Sequence, residues 1–385
     1  MKAELGFYEF FAGGGMARVG LSPSWHCRFA NDIDPKKAAT YVRNWGDDEL
    51  VVRNVAELLP DDLPGEATLS WASFPCQDLS LAGNGAGLQG SRSGTFWSFW
   101  ALMKGLRHQG RAPALLVIEN VCGTLTSHQG QDFATLAAAI AGEGYCLGAL
   151  VIDAVRFLPQ SRPRLFIVAA SESIRISADI VRDGPDPKWH TSALIAAHAK
   201  LRGIAREKWV WWNLPTPTKP VRRFSELAED DPQGIIWHTR AETQRLLEMM
   251  SPINRRKVRE AQRSGERIFG TLYKRTRRDS DGRRQQRAEV RFDEVAGCLR
   301  TPAGGSSRQF VVIVEGRRIR SRLLSPREAA RLMGLPDDYT LPENYNEAYH
   351  IAGDGLAVPL IRHLSEHLLE PLAQDHCARR DREAA

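Results

Sequence analysis

Residues 70–80 read SWASFPCQDLS and place a cysteine, Cys76, directly after a proline. The apolar residues 67–72 before it predict a buried strand. Pro75 fixes its own backbone dihedral, so it can hold the following thiol in one direction. A thiol at such a place has two interpretations, a small buried apolar group or a reactive group that faces a cleft.

Apolar runs and helical patterns alternate through the first 170 residues. The predicted strands are residues 6–12, 27–32, 67–72, 114–119, 147–153 and 164–170. Helical patterns lie between several of them, including residues 95–108 and 132–142. This alternation predicts an α/β fold with a doubly wound, mostly parallel sheet. Ligands of such sheets bind beyond the carboxyl ends of the strands, which is where Cys76 stands.

The chain has 385 residues, 43% of them hydrophobic, a length typical of about two domains. The N-terminus has no apolar run followed by a cleavage site, so we expect no signal peptide. No stretch approaches the ~18 consecutive apolar residues of a membrane span. The six cysteines form no CxxC pair, which predicts a reduced, cytoplasmic protein.

The positive charge is concentrated in one segment. Residues 251–300 contain 15 Lys and Arg against 7 Asp and Glu, whereas the remaining 335 residues contain 37 against 39. Such an Arg-rich segment is typical of a surface that binds a polyanion, nucleic acid first. A solvated charged surface is the alternative interpretation of the same composition.

The composition also changes along the chain. After about residue 175 proline, tryptophan and arginine become frequent, as in WVWWNLPTPTKP, and the strand–helix alternation is lost until about residue 311. Helices are predicted from residue 325 or 326 to 333 and over residues 359–370. We therefore predict three segments: a first domain at 1–175, a second domain at 176–310, and a return to the first domain at 311–385.

The first predicted strand ends in a glycine turn, FFAGGGMARVGL, with Gly13 and Gly15 among its glycines. Glycines there allow backbone amides to approach a ligand closely. Asp32 follows 17 positions after Gly15, at the end of the next strand, and suits the hydroxyls of a ribose. Because the GxGxxG spacing is absent, an NAD dehydrogenase is disfavoured and a nucleoside cofactor without a pyrophosphate is favoured. A turn that merely needs positive φ is the alternative.

Eight motifs occur in order and together carry a resemblance to a known family. They are FFAGGG, NDID, FPCQDLS, GLQGSRSGTF, IENV, QSRPRLFIV, RLLSPREAARLMGLPDDY and AGDGLAVPLI. The chain resembles the DNA cytosine-5 methyltransferases of bacterial restriction–modification or orphan type. The resemblance spans residues 10–361 and leaves residues 175–295 as the variable target-recognition region. It implies a Rossmann-like S-adenosylmethionine methyltransferase sheet, with a smaller, Arg-rich target-recognition domain inserted near the C-terminus.

Four positions depart from the family pattern. Glu9 stands where an aspartate is usual, and Met16 stands where a glycine is usual. Asn54 replaces an aspartate near the adenine, and Asp354 lies in a Gly-Asp-Gly sequence where Gly-Asn-Ser is usual. These positions concern the affinity for the cofactor, whereas the catalytic groups are unchanged.

The resemblance implies covalent catalysis at a cytosine. The Cys76 thiolate adds to C6, which makes C5 nucleophilic enough to take a methyl group. Glu119 serves N3 as an acid, with a raised pKa as the expectation for its carboxyl. The guanidinium of Arg164, together with that of Arg162, serves O2 and the catalytic geometry. The predicted catalytic residues are Cys76, Glu119, Arg162, Arg164, Gln77 and Asn120.

The resemblance assigns S-adenosyl-L-methionine as the methyl donor. The residues predicted to bind it are Phe11, Ala12, Gly13, Gly15, Asp32, Asn54, Phe74, Pro75 and Asp354. We predict no metal site. His363 and His367 are spaced at i,i+4, but such a pair alone is more often solvated or packed than ligating.

Double-stranded DNA is the predicted partner, and the target cytosine must rotate out of the helix. The glycine-rich residues 83–94 suit a loop that closes over it. Predicted DNA-binding residues are Arg92, Ser93, Arg275, Arg277, Arg300, Gly304, Gly305, Ser306, Ser307 and Arg308. We expect a monomer in the cytoplasm, associated with the nucleoid, with a cognate restriction endonuclease encoded elsewhere as a further partner.

Two alternatives to this function remain at the level of sequence. One is a tRNA cytosine-5 methyltransferase with the same fold, which the large basic segment disfavours. The other is a non-catalytic DNA-binding relative, which the presence of Cys76, Glu119 and Arg164 disfavours.

Overall fold

The structure is a computed structural model that describes residues 5–21, 23–75, 95–278, 282–301 and 308–384. The chain divides into two compact units. The first consists of Met1–Asp153, Pro163–Pro217 and Leu360–Ala385, and the second of Ala154–Arg162 and Thr218–Pro359.

A seven-stranded sheet forms the centre of the first unit. Its strands are β1 (Leu5–Phe10), β2 (Trp25–Asp32), β3 (Leu50–Val52), β4 (Leu69–Ala72), β5 (Leu115–Asn120), β6 (Tyr145–Asp153) and β7 (Pro163–Ser171). Their order is β3-β2-β1-β4-β5-β7-β6, and β7 alone runs antiparallel to its neighbours. The predicted α/β fold with a mostly parallel sheet is therefore confirmed.

The central strands are continuous apolar runs because helices cover both faces of such a sheet. All residues of β1 and β5 are buried. The helices of this unit before its last segment are α1 (Met16–Gly20), α2 (Pro35–Trp45), α3 (Thr95–His108), α4 (Gln131–Gly142), α5 (Ser192–Ala199) and α6 (Ile204–Glu207). Phe96 and Phe99 of α3 pack in the main core, and α3 has the predicted bounds.

A small two-stranded sheet, β8 (Val181–Arg182) and β9 (Trp211–Trp212), also belongs to the first unit. The segment leading into β9 lies along edge strand β6, where the amide of Val210 donates to the carbonyl of Leu147 at 2.8 Å. Residues 176–217 were predicted to open the second domain, but this pairing joins them to the first unit.

The second unit contains a four-stranded antiparallel sheet in the order β11-β10-β12-β13. Its strands are β10 (Arg267–Arg278), β11 (Arg284–Arg291), β12 (Gln309–Glu315) and β13 (Arg318–Leu323). Its helices are α7 (Phe224–Leu227), α8 (Arg240–Glu248), α9 (Pro252–Arg263), α10 (Pro326–Leu332) and α11 (Tyr345–Asp354). Leu272, Val290, Phe310 and Val312 share its hydrophobic core.

The return to the first unit comes later than residue 311. Strands β12 and β13 pair with β10, and a buried ion pair between Arg322 and Glu328, 2.6 Å apart, ties β13 to α10. The chain returns at Leu360, within α12 (Val358–Leu364). There Arg362 donates to the carbonyls of Gly20 and Leu21 at 2.8 and 2.9 Å.

The last helix is longer than predicted. A π-helical turn over Ser365–Leu369 joins α12 to α13 (Glu370–Ala384), whereas the sequence predicted an end at residue 370. Within the described part of the chain, no helix combines the length and apolar character needed to cross a membrane.

Candidate active site

One edge of the seven-stranded sheet brings the candidate site residues together. The carboxyl ends of the parallel strands β1, β2, β4 and β5 lie at this edge. Because β7 runs the other way, its first residues lie at the same edge. The edge therefore carries the glycine turn after β1, Asp32, the backbone of Phe74 and Pro75, Glu119 and Arg164.

The glycine turn has the left-handed backbone that the sequence predicts. Gly13 and Gly15 have φ values of 57° and 76°, and Phe11 has a φ of 58°, which is uncommon for a residue with a side chain. A Cβ at Gly15 would lie 2.5 Å from Nε1 of Trp45. Backbone conformation and close packing thus both require glycine at position 15.

Asp32 holds this turn with its carboxylate. Oδ2 accepts from the amide of Gly13 at 2.7 Å, and Oδ1 accepts from the amide of Asp34 at 2.8 Å. Burial raises the pKa of this carboxyl, while the amides of Asp34 and Gly13 and the charge of Lys37 oppose the rise. The carboxylate is therefore fixed beside the turn, and each oxygen keeps a further lone pair.

Glu9, one of the departures from the family pattern, is buried close to the turn. Burial raises the pKa of its carboxyl to about 8, while Arg18 and the amides of Ala17 and Arg18 oppose the rise. Its Oε2 atom has no hydrogen-bond partner among the described residues. A neutral carboxylic acid suits this place, because a buried, unpaired charge is costly.

Asn54 is a predicted cofactor contact, and Ile33 directly follows another, Asp32. Asn54 uses its side-chain oxygen to accept from the amide of Ala56 at 3.0 Å, which starts a short 3₁₀ turn. Ile33, which the sequence analysis did not select, directly follows Asp32 and is 62% exposed. The sequence does carry a signal for Ile33: it is an apolar residue directly after an acid, at the end of a strand and at the edge of the sheet where ligands bind.

The side chains of Glu119 and Arg164 form an ion pair at the junction of β5 and β7. Oε1 of Glu119 lies 3.2 Å from Nε of Arg164, and both side chains are largely buried. The antiparallel register, in which Asn120 faces Leu165, fixes this proximity. Nearby, burial raises the pKa of the Cys122 thiol to about 11, which Arg164 opposes, so this thiol stays protonated at neutral pH.

Asn120 anchors the backbone that leads to the predicted nucleophile. Its Nδ2 atom donates to the carbonyl of Phe74 at 3.2 Å, and its Oδ1 atom accepts from the amide of Val121 at 2.8 Å. The ring of Phe74 packs against Phe96, with 5.6 Å between centroids. The chain is thus held just before Pro75, while Cys76 and Gln77 lie outside the described residues.

Arg162, predicted to act with Arg164, has a different environment. It is 2% exposed and donates to the carbonyls of Leu299 at 2.9 Å, Gly353 at 3.0 Å and Gly355 at 2.7 Å. It belongs to the second unit, whereas Arg164 begins β7 in the first. Three of its hydrogen bonds thus go to backbone carbonyls, and its catalytic role stays a prediction.

Four of the predicted DNA-binding residues are described. Arg275 stacks over Tyr273 at 4.5 Å, and both Arg275 and Arg277 contact Glu289, at 3.6 and 2.6 Å. Arg300 is exposed. Arg308 stacks over Tyr345, with 5.5 Å between the guanidinium carbon and the ring centroid.

The remaining DNA predictions lie outside the described residues. They are Arg92, Ser93, Gly304, Gly305, Ser306, Ser307 and the proposed loop at residues 83–94. Asp354, predicted to contact the cofactor, accepts a hydrogen bond from the hydroxyl of Thr301 within the second unit.

The two histidines spaced at i,i+4 lie against each other and against a backbone carbonyl. His363 contacts the carbonyl of Pro215 through Nε2 at 2.8 Å, and its ring centroid lies 4.4 Å from that of His367. Among the residues that the structure describes, no three His, Cys, Asp or Glu side chains are grouped to hold a metal ion.

The chain has a Rossmann-like, parallel-rich sheet with a glycine turn, a strand-end acid and an acid–arginine pair at one edge. The family model of the C-5 cytosine-specific DNA methylases matches residues 5–370. The chain belongs to this family. It is a DNA cytosine-5 methyltransferase that uses S-adenosylmethionine as its methyl donor.

Similar proteins include type II methyltransferases of bacteria. M1.ScrFI of Lactococcus lactis subsp. cremoris is 25% identical over 382 residues, which cover 96% of this chain and 79% of the relative. M.DsaV of Dactylococcopsis salina is 27% identical over 370 residues, covering 96% and 87%. M.HaeII of Haemophilus aegyptius is 25% identical over 369 residues, covering 94% and 92%.

Solved structures share the fold at low identity. The S. pombe Dnmt2 methyltransferase has a TM-score of 0.59 and 17% identity, with 96% of this chain and 99% of that chain covered. The methyltransferase EhMeth of Entamoeba histolytica has a TM-score of 0.61 and 14% identity, with the same shares covered. At these identities the likeness concerns the fold alone.

Proposed function

We propose that this enzyme methylates a cytosine rotated out of duplex DNA, through a covalent bond between Cys76 and C6 of the base. The observation that carries the proposal is the Glu119–Arg164 pair, whose atoms lie 3.2 Å apart at the sheet edge where the chain enters Cys76. An acid and a guanidinium side by side match N3 of cytosine and O2, the oxygen on the neighbouring ring atom C2.

The proposed reaction begins when the Cys76 thiolate adds to C6 and forms the S–C6 bond. Glu119 protonates N3, and Arg164 donates to O2, so that the negative charge from the addition is neutralised. C5 then takes the methyl group that the cofactor supplies. A base, for which we propose water, removes the C5 proton; the S–C6 bond breaks, the thiolate leaves, and the N3 proton returns to the Glu119 carboxylate.

The residues of the sheet edge fit the cofactor. Asp32 has lone pairs left for ribose hydroxyls beside a turn whose φ angles admit close approach. The exposed side chain of Ile33 offers an apolar surface for the adenine, and the second lone pair of Asn54 can accept from its amino group. Phe11, Ala12, Gly13, Gly15, Phe74 and Pro75 line the methionine end in this proposal, and Asp354 stays a predicted contact.

The second unit is the proposed target-recognition domain. Strands β10 and β11 form a two-stranded ribbon whose far half is rich in arginine, including Arg275, Arg277, Arg284 and Arg287. A ribbon of this kind fits the major groove of DNA, and its arginines suit phosphates and guanine edges. Arg300 and Arg308 are further proposed contacts.

The names of the relatives support a proposal for the biological setting. Their names as type II methyltransferases support a role in restriction–modification, with a cognate endonuclease as an additional component. We propose that the enzyme acts as a monomer, in the cytoplasm and at the nucleoid, where its DNA lies.

Transfer of labelled methyl groups tests the substrate. With labelled cofactor and separate samples of duplex DNA and tRNA, we expect label in the DNA alone. Sequencing of modified cytosines in DNA from cells that express the chain then gives the recognition sequence. Label in tRNA alone would favour the tRNA enzyme, and no label in either would favour a non-catalytic DNA-binding protein.

A further inference from the structure

The first unit contains a pocket away from the sheet edge that carries the candidate active site. A cavity of about 470 Å³ lies beside the β8–β9 sheet. The residues that line it include Trp209, Trp211, His198, Arg182 and Arg206. Trp209 and Trp211 belong to the WVWW sequence, which lies in the segment of changed composition after residue 175.

Three consecutive residues, 209–211, line one side of the pocket. Trp209 and Trp211, two residues apart, line the cavity, whereas Trp212 faces the core and donates to the carbonyl of Val168 at 3.1 Å. Gly148 on edge strand β6 permits this arrangement. A Cβ at Gly148 would lie 2.1 Å from the carbonyl oxygen of Val210 and 2.7 Å from the Trp212 ring.

The three rings form a compact aromatic wall. The centroid of His198 lies 4.8 Å from that of Trp209 and 4.5 Å from that of Trp211, and the two tryptophan centroids are 5.4 Å apart. Burial lowers the pKa of His198 to about 4, so its ring is neutral at neutral pH. Uncharged aromatic faces of this kind suit a flat ligand.

The polar groups around the wall are mostly donors. Nε1 of Trp209 is buried and has no hydrogen-bond partner among the described residues, and such a group normally has one. Nη1 of Arg206 lies 2.9 and 2.8 Å from the two ring nitrogens of His198. Asp183 is the acidic residue in the lining, against two arginines. The pocket therefore favours a ligand with acceptors and negative charge.

We propose that this pocket binds a nucleotide, with the base on the tryptophan and histidine rings and the phosphate at Arg206 and Arg182. A cationic aromatic ligand would be repelled by two guanidinium groups, and an uncharged one would leave their positive charge unbalanced. Two sources share this chemistry, a free mononucleotide and a nucleotide of a DNA strand. The proposal does not depend on methyl transfer, since none of these residues takes part in the proposed reaction.

Fluorine NMR of the full chain labelled with 5-fluorotryptophan tests the proposal. The variants Trp209→Phe and Trp211→Phe assign their two signals among those of the ten tryptophans. The probes are dAMP and a single-stranded oligonucleotide, each added with saturating S-adenosylhomocysteine so that adenine does not enter the cofactor site. We expect the two assigned signals to shift saturably with at least one probe.

The matched pair Arg206→Ala and Arg202→Ala separates binding at the pocket from general charge. Arg202 is exposed on the same segment and donates to the carbonyls of Ala199 and Leu201, away from the lining. Loss of one charged contact corresponds to affinity weaker by about tenfold or more, so we expect this loss in Arg206→Ala alone, at unchanged melting temperature.

The outcomes divide clearly. Saturation by dAMP identifies a site for free nucleotides, and saturation by the oligonucleotide alone identifies a subsite for DNA. Either result, with the expected effect of Arg206→Ala, supports the proposal. No saturable shift with either probe, or equal affinity in wild type and Arg206→Ala, would overturn it.

Discussion

The Nε atom of Arg164 lies 3.2 Å from Oε1 of Glu119, although 45 residues separate them in the chain. The antiparallel pairing of β5 with β7 creates this contact. A neighbouring guanidinium favours the charged form of a carboxyl group. In our mechanism the flipped cytosine therefore separates the two side chains. The acid of Glu119 then donates to N3, and the guanidinium of Arg164 donates to O2.

Replacement of the acid tests its role in proton transfer. We expect Glu119→Gln to lower the single-turnover rate of DNA methylation by about 10²- to 10⁴-fold, because an amide can donate a hydrogen bond but cannot deliver a proton. Glu143→Gln, at the end of α4 beside Arg107, is the matched control and should keep the wild-type rate. A rate for Glu119→Gln within about threefold of wild type would remove Glu119 from the reaction.

Lysine substitutions should distinguish the roles of Arg162 and Arg164. Arg162 makes hydrogen bonds to three backbone carbonyls in a buried setting, which a single ammonium group cannot satisfy in the same geometry. We expect Arg162→Lys to lower the free energy of unfolding by about 2–4 kcal/mol, as measured by urea denaturation. Arg164→Lys should lower turnover by about 10²-fold with little loss of stability. Loss of turnover in Arg162→Lys, with loss of stability in Arg164→Lys, would support catalysis by Arg162 instead.

Asp32 and Asp34 form a second matched pair. Asp32 holds the glycine turn, whereas Asp34 caps α2 by accepting from the amide of Lys36. Calorimetric titration with S-adenosylhomocysteine should show a dissociation constant about 10- to 100-fold higher for Asp32→Ala, since hydrogen bonds to a charged group are lost. Asp34→Ala should lose about 1 kcal/mol of stability and keep its affinity. Equal affinities in both variants would contradict our assignment of the ribose site.

Glu9 predicts a pH dependence of stability. Its pKa is about 8 in the folded state, raised by burial from an ordinary value of 4.5. Between these values the unfolded chain has lost the proton while the folded protein keeps it. Stability from this group is therefore complete below pH 4.5 and is lost as the pH rises toward 8.

The variant Glu9→Gln isolates this contribution. Relative to the variant, we expect the wild type to lose unfolding free energy from about pH 5 to 8, with a slope of at most about 1.4 kcal/mol per pH unit. Denaturant titrations at several pH values measure the slope. Parallel profiles for the two proteins would show that Glu9 is ionised in the folded state.

The sequence predicted the parallel sheet well because strands buried on both faces are continuous apolar runs. Strands β1, β4 and β5 lie where such runs occur. Strands β10 and β11 were not predicted, because only the first half of β10 packs on the core and its second half carries exposed arginines. Local hydrophobic alternation is weak in such a ribbon.

The candidate site, too, contains residues that the sequence reveals and residues that it does not. The positions of Asp32 and Glu119 follow from strand ends and are visible in the sequence. The environment of Arg162 is not visible in the sequence, because its hydrogen-bond partners Leu299 and Gly353 lie 137 and 191 residues away. The aromatic pocket is also hidden, since His198 and Trp211 meet only after the chain folds along β6.

The covalent bond between Cys76 and the base is the central claim, and trapping measures it directly. Duplex DNA with 5-fluorocytosine at the target position cannot lose a proton from C5, so the adduct should persist after methyl transfer. With S-adenosylmethionine present, we predict a denaturation-resistant protein–DNA complex for the wild type and none for Cys76→Ser. Absence of the complex in the wild type, or full methylation by Cys76→Ser on ordinary DNA, would contradict the account.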